Sequence, residues 1–149
     1  MGVPNPQTDP QFYQGVVLRR FMAFLIDFVI ILMMLAVVAV IGVVMTALTF
    51  GLGAPLAFIA GALTGFAYRW MMLTHRSATL GMLMTGIEVR DAEGHKMTQS
   101  TAFLHTIGFH ATFLFPPLAF IGWLLLATSP YRRAMHDIFI GSVVINRPT

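Results

Sequence analysis

Apolar residues form two long runs in the first half of the chain. No acid, base or histidine occurs between Asp27 and Arg69, whereas a helix needs only about 20 apolar residues to cross a bilayer. The stretch is too long for one span and fits two, with the cluster GLGAP at residues 51–55 supplying a turn. The pattern therefore predicts an antiparallel helical hairpin over about residues 19–48 and 55–74.

A third apolar run, residues 101–128, contains no Asp, Glu, Lys or Arg. It is interrupted by Pro116 and Pro117, which remove two backbone donors in the middle of the run. Two structures fit this pattern. Either one kinked helix crosses the membrane, or two half-length helices enter the membrane and return to the same side.

The polar segment between the second and third runs carries strand and turn signals. Residues 86–90 alternate apolar and polar side chains, and DAEG at 91–94 has the composition of a turn. This segment is predicted to be a small β-hairpin or an extended arm. The tail is amphipathic at residues 131–137 and strand-like at 141–145. A re-entrant third run would allow residues 142–145 to pair with 86–89 in a small cytoplasmic sheet.

The composition is that of a membrane protein. Hydrophobic residues make up 57% of the 149 residues and charged residues only 10%, against about 25% charged in a typical soluble domain. The chain has no cysteine, which excludes disulfides and thiol chemistry. The fold class predicted is therefore an all-α integral membrane protein with a small β element, and its first partner is the lipid bilayer. Residues 1–14, rich in proline and polar side chains, are expected to form a disordered arm.

The basic residues predict the orientation of the chain in its membrane. The net charge is +3, but the Lys and Arg side chains flank the apolar runs and do not form a stripe that would bind nucleic acid. They precede the first run and follow the second, and none lies in the connection between them. By the positive-inside rule, the N-terminus and the loop 75–100 are cytoplasmic. A re-entrant third run would place Arg132, Arg133 and Arg147 on that side as well.

Asp27 is the most informative single position. A lone acid at bilayer depth costs roughly 2.5–3.5 kcal/mol on insertion scales, so such a residue is usually paired or lines a polar cavity. Arg20 lies seven residues earlier on the same helix face, but helical side chains lean toward the N-terminus and a direct bridge is therefore disfavoured. A partner on another segment is expected, and Arg132, Arg133 and His136-Asp137 are the candidates.

These positions predict a charge cluster of Arg20, Asp27 and Asp137, supported by Arg19, Arg132, Arg133 and His136. The cluster would form where the tail packs against the first helix, with Arg132 or Arg133 balancing the charge. The alternative for the arginines is that they anchor the chain at lipid headgroups.

Three segments carry a family resemblance. LRRFMAFLID covers residues 18–27, TLGMLMTGIEV and DAEG fall within 79–94, and RRAMHD and GSVV fall within 132–144. In this order they resemble the RDD family of membrane proteins, named for one arginine and two aspartates, over about residues 15–146. Met82 departs from the family pattern, which commonly has a basic residue there, and Ser142 replaces the usual threonine.

The resemblance implies that Arg20, Asp27 and Asp137 are the residues that name the family, with Arg19 as a competitor for the arginine. It also implies a membrane protein whose activity is either transport or ion exchange, or the service of a larger membrane assembly.

The histidines do not form a recognisable metal motif. His105 and His110 lie about 140° apart around a helix, and no carboxylate completes a ligand pattern, so no metal is expected. Gly61 and Gly65 form a GxxxG pair that permits close helix approach, either within the chain or between two copies. No phosphate-binding loop or nucleophile motif is present, and therefore neither an enzyme nor a cofactor is expected.

Two functions remain open on the sequence. The small size and the few polar groups in the apolar runs favour an accessory or assembly component that packs against a partner membrane protein. The insertion cost of Asp27 favours a transporter or ion-exchange component, acting as a homo-oligomer, with Asp27 and Asp137 as ion-binding carboxylates.

Overall fold

The computed structural model describes residues 2–148 and is mostly helical, with 68% of these residues in helices. Its α-helices are α1 (Val16–Leu48), α2 (Ala54–Arg76), α3 (Leu80–Thr85), α4 (Gln99–Leu114), α5 (Pro116–Thr128) and α6 (Met135–Ile140). Two strands, β1 (Ile87–Arg90) and β2 (Val143–Asn146), form a small antiparallel sheet, and a 3₁₀ turn covers Pro10–Phe12.

Helices α1 and α2 form the predicted hairpin. Each is long and apolar enough to cross a membrane, and only 6% of the most apolar stretch of α1 is buried within the protein. The turn between them begins at Thr49, whose hydroxyl donates to the Met45 carbonyl and accepts from the Gly53 amide, both at 2.7 Å. Gly51 has a positive φ of 96°, which glycine adopts without strain. Thus the GLGAP cluster reverses the chain where its composition predicts.

The closest approach of α1 and α2 involves a different glycine from those predicted. A Cβ added to Gly42 would lie 2.8 Å from the Cβ of Ala57, whereas one added to Gly61 would meet no atom within 4 Å. At Gly65 the nearest atom, Cγ2 of Ile31, would be at an ordinary 3.7 Å. The expectation of close packing at Gly61 within the chain is therefore wrong, because Gly61 borders an open groove between the two helices, with Leu35, Val38 and Ala39 on the α1 side.

The third apolar run is broken at its prolines. Helices α4 and α5 meet at an angle of 115°, and Phe115 between them is extended, with φ −119° and ψ 95°. A residue before proline is pushed out of the helical region by the proline ring, and Pro116 has no N–H to continue the ladder of α4. Within the described residues, the run therefore turns back instead of continuing as one straight helix.

The β-sheet joins the middle of the chain to its tail. Ile87 pairs with Asn146, Val89 with Val144, and Arg90 with Val143, so β1 takes part in long-range pairing, as the re-entrant alternative predicts. The alternative prediction, a local β-hairpin, is represented only by a single β-bridge between Arg90 and Lys96 within the described residues. Because β1 packs beside the start of α1, this pairing returns the tail to the end of the molecule where α1 begins.

The buried core lies at that same end. Val16 and Ala23 of α1 pack with residues of α2, α3, the sheet and α4; the buried apolar side chains of this cluster are Leu73, Ala78, Met82, Ile87, Val89, Met97, Ala102 and Val144. In contrast, the second half of α1 exposes most of its large apolar side chains. The packed core therefore occupies the polar end of the molecule, and the helical hairpin projects from it.

The N-terminal arm follows a defined course in the structure, unlike the disordered arm that its composition predicts. Tyr13 is buried with Val143 and Ile145, its hydroxyl donates to the Pro4 carbonyl at 2.6 Å, and its ring meets that of Tyr131 edge to face. The side-chain amide of Asn146 also donates to the Gln11 and Gln14 carbonyls, so contacts with the sheet organise the residues before α1, and composition alone does not reveal them.

Candidate functional site

Asp27 lies in a pocket of neutral donors formed by three helices. The Tyr68 hydroxyl of α2 donates to Oδ1 at 2.6 Å, and the Gly81 amide of α3 donates to the same oxygen at 2.9 Å. The Thr79 hydroxyl donates to Oδ2 at 2.6 Å. Asp27 is 5% exposed. Both of its oxygens are therefore occupied, and hydrogen bonds to a charged acceptor are the strong ones.

The N-terminus of the short helix α3 is built around the contacts with Asp27. Thr79 caps its N-terminus by accepting from the Met82 amide at 3.2 Å, while the same hydroxyl donates to Asp27. Gly81 follows inside the first turn, where an added Cβ would collide with the Ala23 carbonyl of α1. Only glycine therefore lets α3 approach α1 closely enough for the Gly81 amide to donate to the carboxylate.

Asp137 lies in a second pocket, which contains a charged partner. Its side chain is fully buried; Oδ2 accepts from Arg20 Nη2 at 2.5 Å and from the Ala134 amide at 2.9 Å. Oδ1 lies 2.9 Å from His105 Nε2 and accepts from the Ser142 hydroxyl at 3.4 Å. The bond to Ala134 also closes the first turn of α6. Arg20 thus joins the start of α1 to the tail.

The charges around Asp137 determine its ionisation. Burial by itself raises the pKa of a carboxyl group, but Arg20 and the neighbouring histidines outweigh burial and hold the pKa of Asp137 well below its usual range. The carboxylate is therefore ionised at neutral pH, and Arg20 is its counter-charge.

The predicted single cluster is in fact two adjacent sites. Arg20 pairs with Asp137, but Asp27 makes no ion pair within residues 2–148, and its partners are uncharged. The prediction that Arg132, Arg133 or His136-Asp137 would partner Asp27 is therefore wrong. Helix α3 and Tyr68 occupy the space around that carboxylate, so the tail does not reach it.

The supporting residues lie around the second site with other contacts. Arg19 is exposed and donates to the Thr85 carbonyl at 3.4 Å, so Arg20 is the arginine that contacts an aspartate. The Arg132 carbonyl accepts from Arg20 Nη1 at 3.1 Å, while its own guanidinium bonds the Ala127 carbonyl at the end of α5. Arg133 lies over the Tyr131 ring, 4.8 Å from its centroid. His136 Nε2 is 3.4 Å from Asp137 Oδ1, and neither ring nitrogen of His136 has a hydrogen-bond partner.

Arg69 is a buried charge, whereas the sequence suggested only that it is one of the basic residues that orient the chain in the membrane. It is 7% exposed, its guanidinium lies 3.6 Å from the centroid of the Phe109 ring, and its Nε has no hydrogen-bond partner. A cation inside an apolar helix is as costly as an acid, so the argument that singled out Asp27 applied equally to Arg69. Tyr68 and His105 had no comparable signal, since neutral side chains at such positions are common in membrane helices.

A cavity of about 120 Å³ separates the two sites. Helices α1, α2 and α4 form its walls, and its polar lining consists of Arg20, Asp27, Tyr68, Arg69, His110 and His136. Asp27 of the first pocket and Arg20 of the second therefore border one space, whereas Asp137 is not part of its wall.

The two histidines and the carboxylate of the second pocket have the spacing of a metal site. One ligand atom each from His105, His136 and Asp137 lies within 4.8 Å of the others. Metal-bound imidazoles usually donate their second nitrogen to an acceptor, but the Nδ1 atoms of both histidines lack a partner. Arg20 also lies against Asp137. The donor set therefore fits the observed ion pair better than a cation, and the expected absence of a metal stays a prediction.

Comparison with known proteins identifies one family. The sequence model of the RDD family matches residues 15–141, a segment that contains Arg20, Asp27 and Asp137 together with Tyr68, Arg69 and His105. The match confirms the resemblance found in the sequence. No curated protein matches the chain, and no solved structure matches it.

Proposed function

Because the chain belongs to the RDD family, we propose that it is a multi-pass protein of the bacterial cytoplasmic membrane, and an accessory or assembly component of a larger membrane complex. Helices α1 and α2 are the candidate spans. The bent pair α4–α5 enters the apolar layer and returns. Residues 1–14, the loop 75–100 and the tail face the cytoplasm, in keeping with the positions of the Lys and Arg side chains.

The contacts of the two aspartates support the accessory role. Asp27 receives three donors from α2 and α3, and Asp137 receives Arg20, Ala134 and Ser142. A carboxylate that binds and releases an ion needs an oxygen open to it, whereas these oxygens hold separate segments of the chain together. Arg20, Asp27 and Asp137 therefore stabilise a small scaffold by joining separate segments of the chain.

The scaffold presents a large apolar surface for a partner within the membrane. Beyond Asp27, α1 contacts α2 on one side and exposes side chains such as Leu32, Val37 and Val43 on the other. We place the partner membrane protein on this surface.

Gentle solubilisation of the tagged protein from its native membrane tests this role. We expect one membrane protein to co-purify at near-equal molar amount, and the partner's own complex to lose mass on a native gel when the gene for this chain is deleted. Restoring the wild type or the exposed variant Glu93→Gln should restore the complex. A protein that purifies alone or only with copies of itself, and whose deletion alters no complex, contradicts the proposal.

The cavity between the two sites supports a second candidate, a transporter or ion-exchange component that acts as a homo-oligomer. Its lining includes both Asp27 and Arg69, inside the candidate spans, which is where transport pathways hold ionisable groups. The variant Asp27→Asn separates the two functions. A transporter with this substitution should fold and assemble but lose flux in liposomes. A scaffold should lose thermal stability and abundance, because an amide cannot accept all three donors.

A further inference from the structure

The guanidinium of Arg69 is buried without an adjacent negative charge. Within residues 2–148 no carboxylate oxygen lies within 4.0 Å of it, although Arg69 and Asp27 border the same cavity. The face of Phe109 stabilises the cation but offers it no lone pair. A guanidinium carries five N–H donors, so Arg69 retains unused donor capacity at a desolvated position.

The other charged groups that border the cavity already have partners, which are a counter-charge for Arg20 and neutral donors for Asp27. Arg20 is paired with Asp137 at 2.5 Å, and the oxygens of Asp27 are directed at Tyr68, Thr79 and Gly81. His136, which also borders the cavity, has two buried ring nitrogens without partners. Donors therefore exceed available acceptors around this space, and an acceptor-rich anion would complement it.

The cavity has the size and position for a polyatomic anion. Its volume of about 120 Å³ is several times the roughly 30 Å³ that one water occupies in the liquid. Arg69 lies seven residues before the end of α2, which is about 10 Å along the helix and therefore close to the headgroup layer of a bilayer. The exposed ring of Phe28 is part of the cavity wall, so the space borders the lipid-facing surface.

We infer that this cavity binds a phosphate-type oxyanion, with Arg69 as the principal ligand and Arg20 and His136 in the wall beside it. The planar fork of an arginine matches two oxygens of such an anion. The oxyanion is either the phosphate of an anionic lipid headgroup or free inorganic phosphate. The inference is independent of the accessory role, since a scaffold and a transporter are equally compatible with the site.

Thermal unfolding of the detergent-solubilised wild-type protein tests the site, with the fluorescence of Trp70 and Trp123 as the signal. One arm adds phosphatidylglycerol to the micelles, with diacylglycerol of the same chains as the control that lacks phosphate. The other arm adds inorganic phosphate at constant ionic strength. At about a hundred times the Kd, binding should raise Tm by about 5–10 °C. A shift with the lipid alone assigns the headgroup as the source, and a shift with inorganic phosphate as well assigns the free ion.

Two variants of Arg69 and one control variant decide whether Arg69 is the ligand. Arg69→Gln should lose the shift, while Arg76→Gln, at an exposed arginine two turns along the same helix, should keep it. Arg69→Lys retains the charge needed for folding but loses the fork, and its Kd should rise about tenfold. The inference is overturned if neither probe shifts the wild type, which would mean that water alone fills the cavity. It is also overturned if Arg69→Gln keeps the full shift, or if Arg69→Lys binds with an unchanged Kd.

Discussion

Asp137 is a single residue whose contacts connect three separate parts of the chain. Its carboxylate meets Arg20 of α1, His105 of α4 and Ser142 of the tail, and it has no contact with solvent. Burying such a charge is costly, and the cost is recovered only when every partner is present. Removing one member therefore leaves an uncompensated charge inside the protein.

We expect Asp137→Asn to destabilise the protein by about 3–5 kcal/mol, the usual effect of breaking a buried pair, and to lower Tm accordingly. Because the stranded Arg20 accounts for much of this effect, the double variant Arg20→Gln/Asp137→Asn should cost less than the sum of the two single variants. Glu93→Gln, which alters an exposed acid, is the control and should leave Tm unchanged. Additive effects of the two single substitutions would contradict the pairing.

His136 gives the stability a dependence on pH. Burial lowers its pKa to about 3, against an ordinary value of 6.5. His136 therefore binds a proton below pH 6.5 in the unfolded chain, but only below about pH 3 in the folded protein. Stability is fully present above pH 6.5 and falls as the pH decreases through this window, by up to about 1.4 kcal/mol per pH unit. The pKa of Asp137 is held well below 3.8, so its own contribution persists through the upper part of the window.

Tm measured from pH 8 to pH 4 checks this dependence. The wild type should lose stability below pH 6.5, and His136→Gln should show a shallower decline. His95→Gln, at an exposed histidine in the turn after β1, should leave the wild-type slope intact. A slope that His136→Gln leaves unaltered would show that other groups carry the dependence.

Single residues were also where the sequence was least informative. The insertion cost singled out Asp27, and the resemblance to the RDD family added Arg20 and Asp137, but neither revealed that these residues form two sites. That division depends on Tyr68, Thr79 and Gly81 reaching Asp27 first. Such contacts join positions more than 40 residues apart in the chain, and no local pattern records them.

The helices and strands were more predictable, because their signals are local. The apolar runs predicted α1 and α2, and the prolines at 116–117 predicted a break in the third run. Helix α3, with six residues, was missed because so short a helix shows no periodicity within a polar segment. The pairing of β1 with β2 was foreseen only as a consequence of one of the two alternatives for the third run.

The bent pair α4–α5 predicts that both ends of the chain lie on one side of the membrane. The chain has no cysteine, so single cysteines can be introduced without background. Leu52→Cys, in the exposed turn between α1 and α2, should react with an impermeant maleimide in intact cells. Glu93→Cys and Pro148→Cys should react only after the cells are opened. Labelling of Pro148→Cys in intact cells would mean that the third run crosses the membrane completely.

The whole molecule has one end with a packed core and another end whose apolar side chains are exposed. The core, the sheet and the two charge sites all lie where α1 begins, whereas the hairpin of α1 and α2 extends away from them with its apolar surface exposed. The free energy of folding is therefore concentrated at the polar end, where segments from the start, the middle and the end of the chain meet. The other end, formed by the far half of the α1–α2 hairpin, is stabilised mainly by contacts between these two helices and, in a cell, by contacts with its surroundings.

This concentration predicts that the chain can be cut without losing the fold. A break between Ala92 and Glu93 falls in an exposed turn, and the β1–β2 ladder and the Arg20–Asp137 pair both cross it. Co-expressed fragments 1–92 and 93–149 should therefore co-purify, whereas fragment 93–149 expressed alone should be degraded, because its buried charges and strand lack partners.

The charge pair should determine whether the two fragments associate. Placing Asp137→Asn in the second fragment removes the partner of Arg20, and the yield of the fragment pair should fall at least tenfold, as a loss of about 1.4 kcal/mol or more implies. Glu93→Gln in the same fragment should leave the yield unchanged. If the Asp137→Asn fragment pairs as well as the wild type, the apolar contacts of α2 with α4 hold the two fragments together. Arg20, Asp27 and Asp137 must then have a role other than joining segments of the chain.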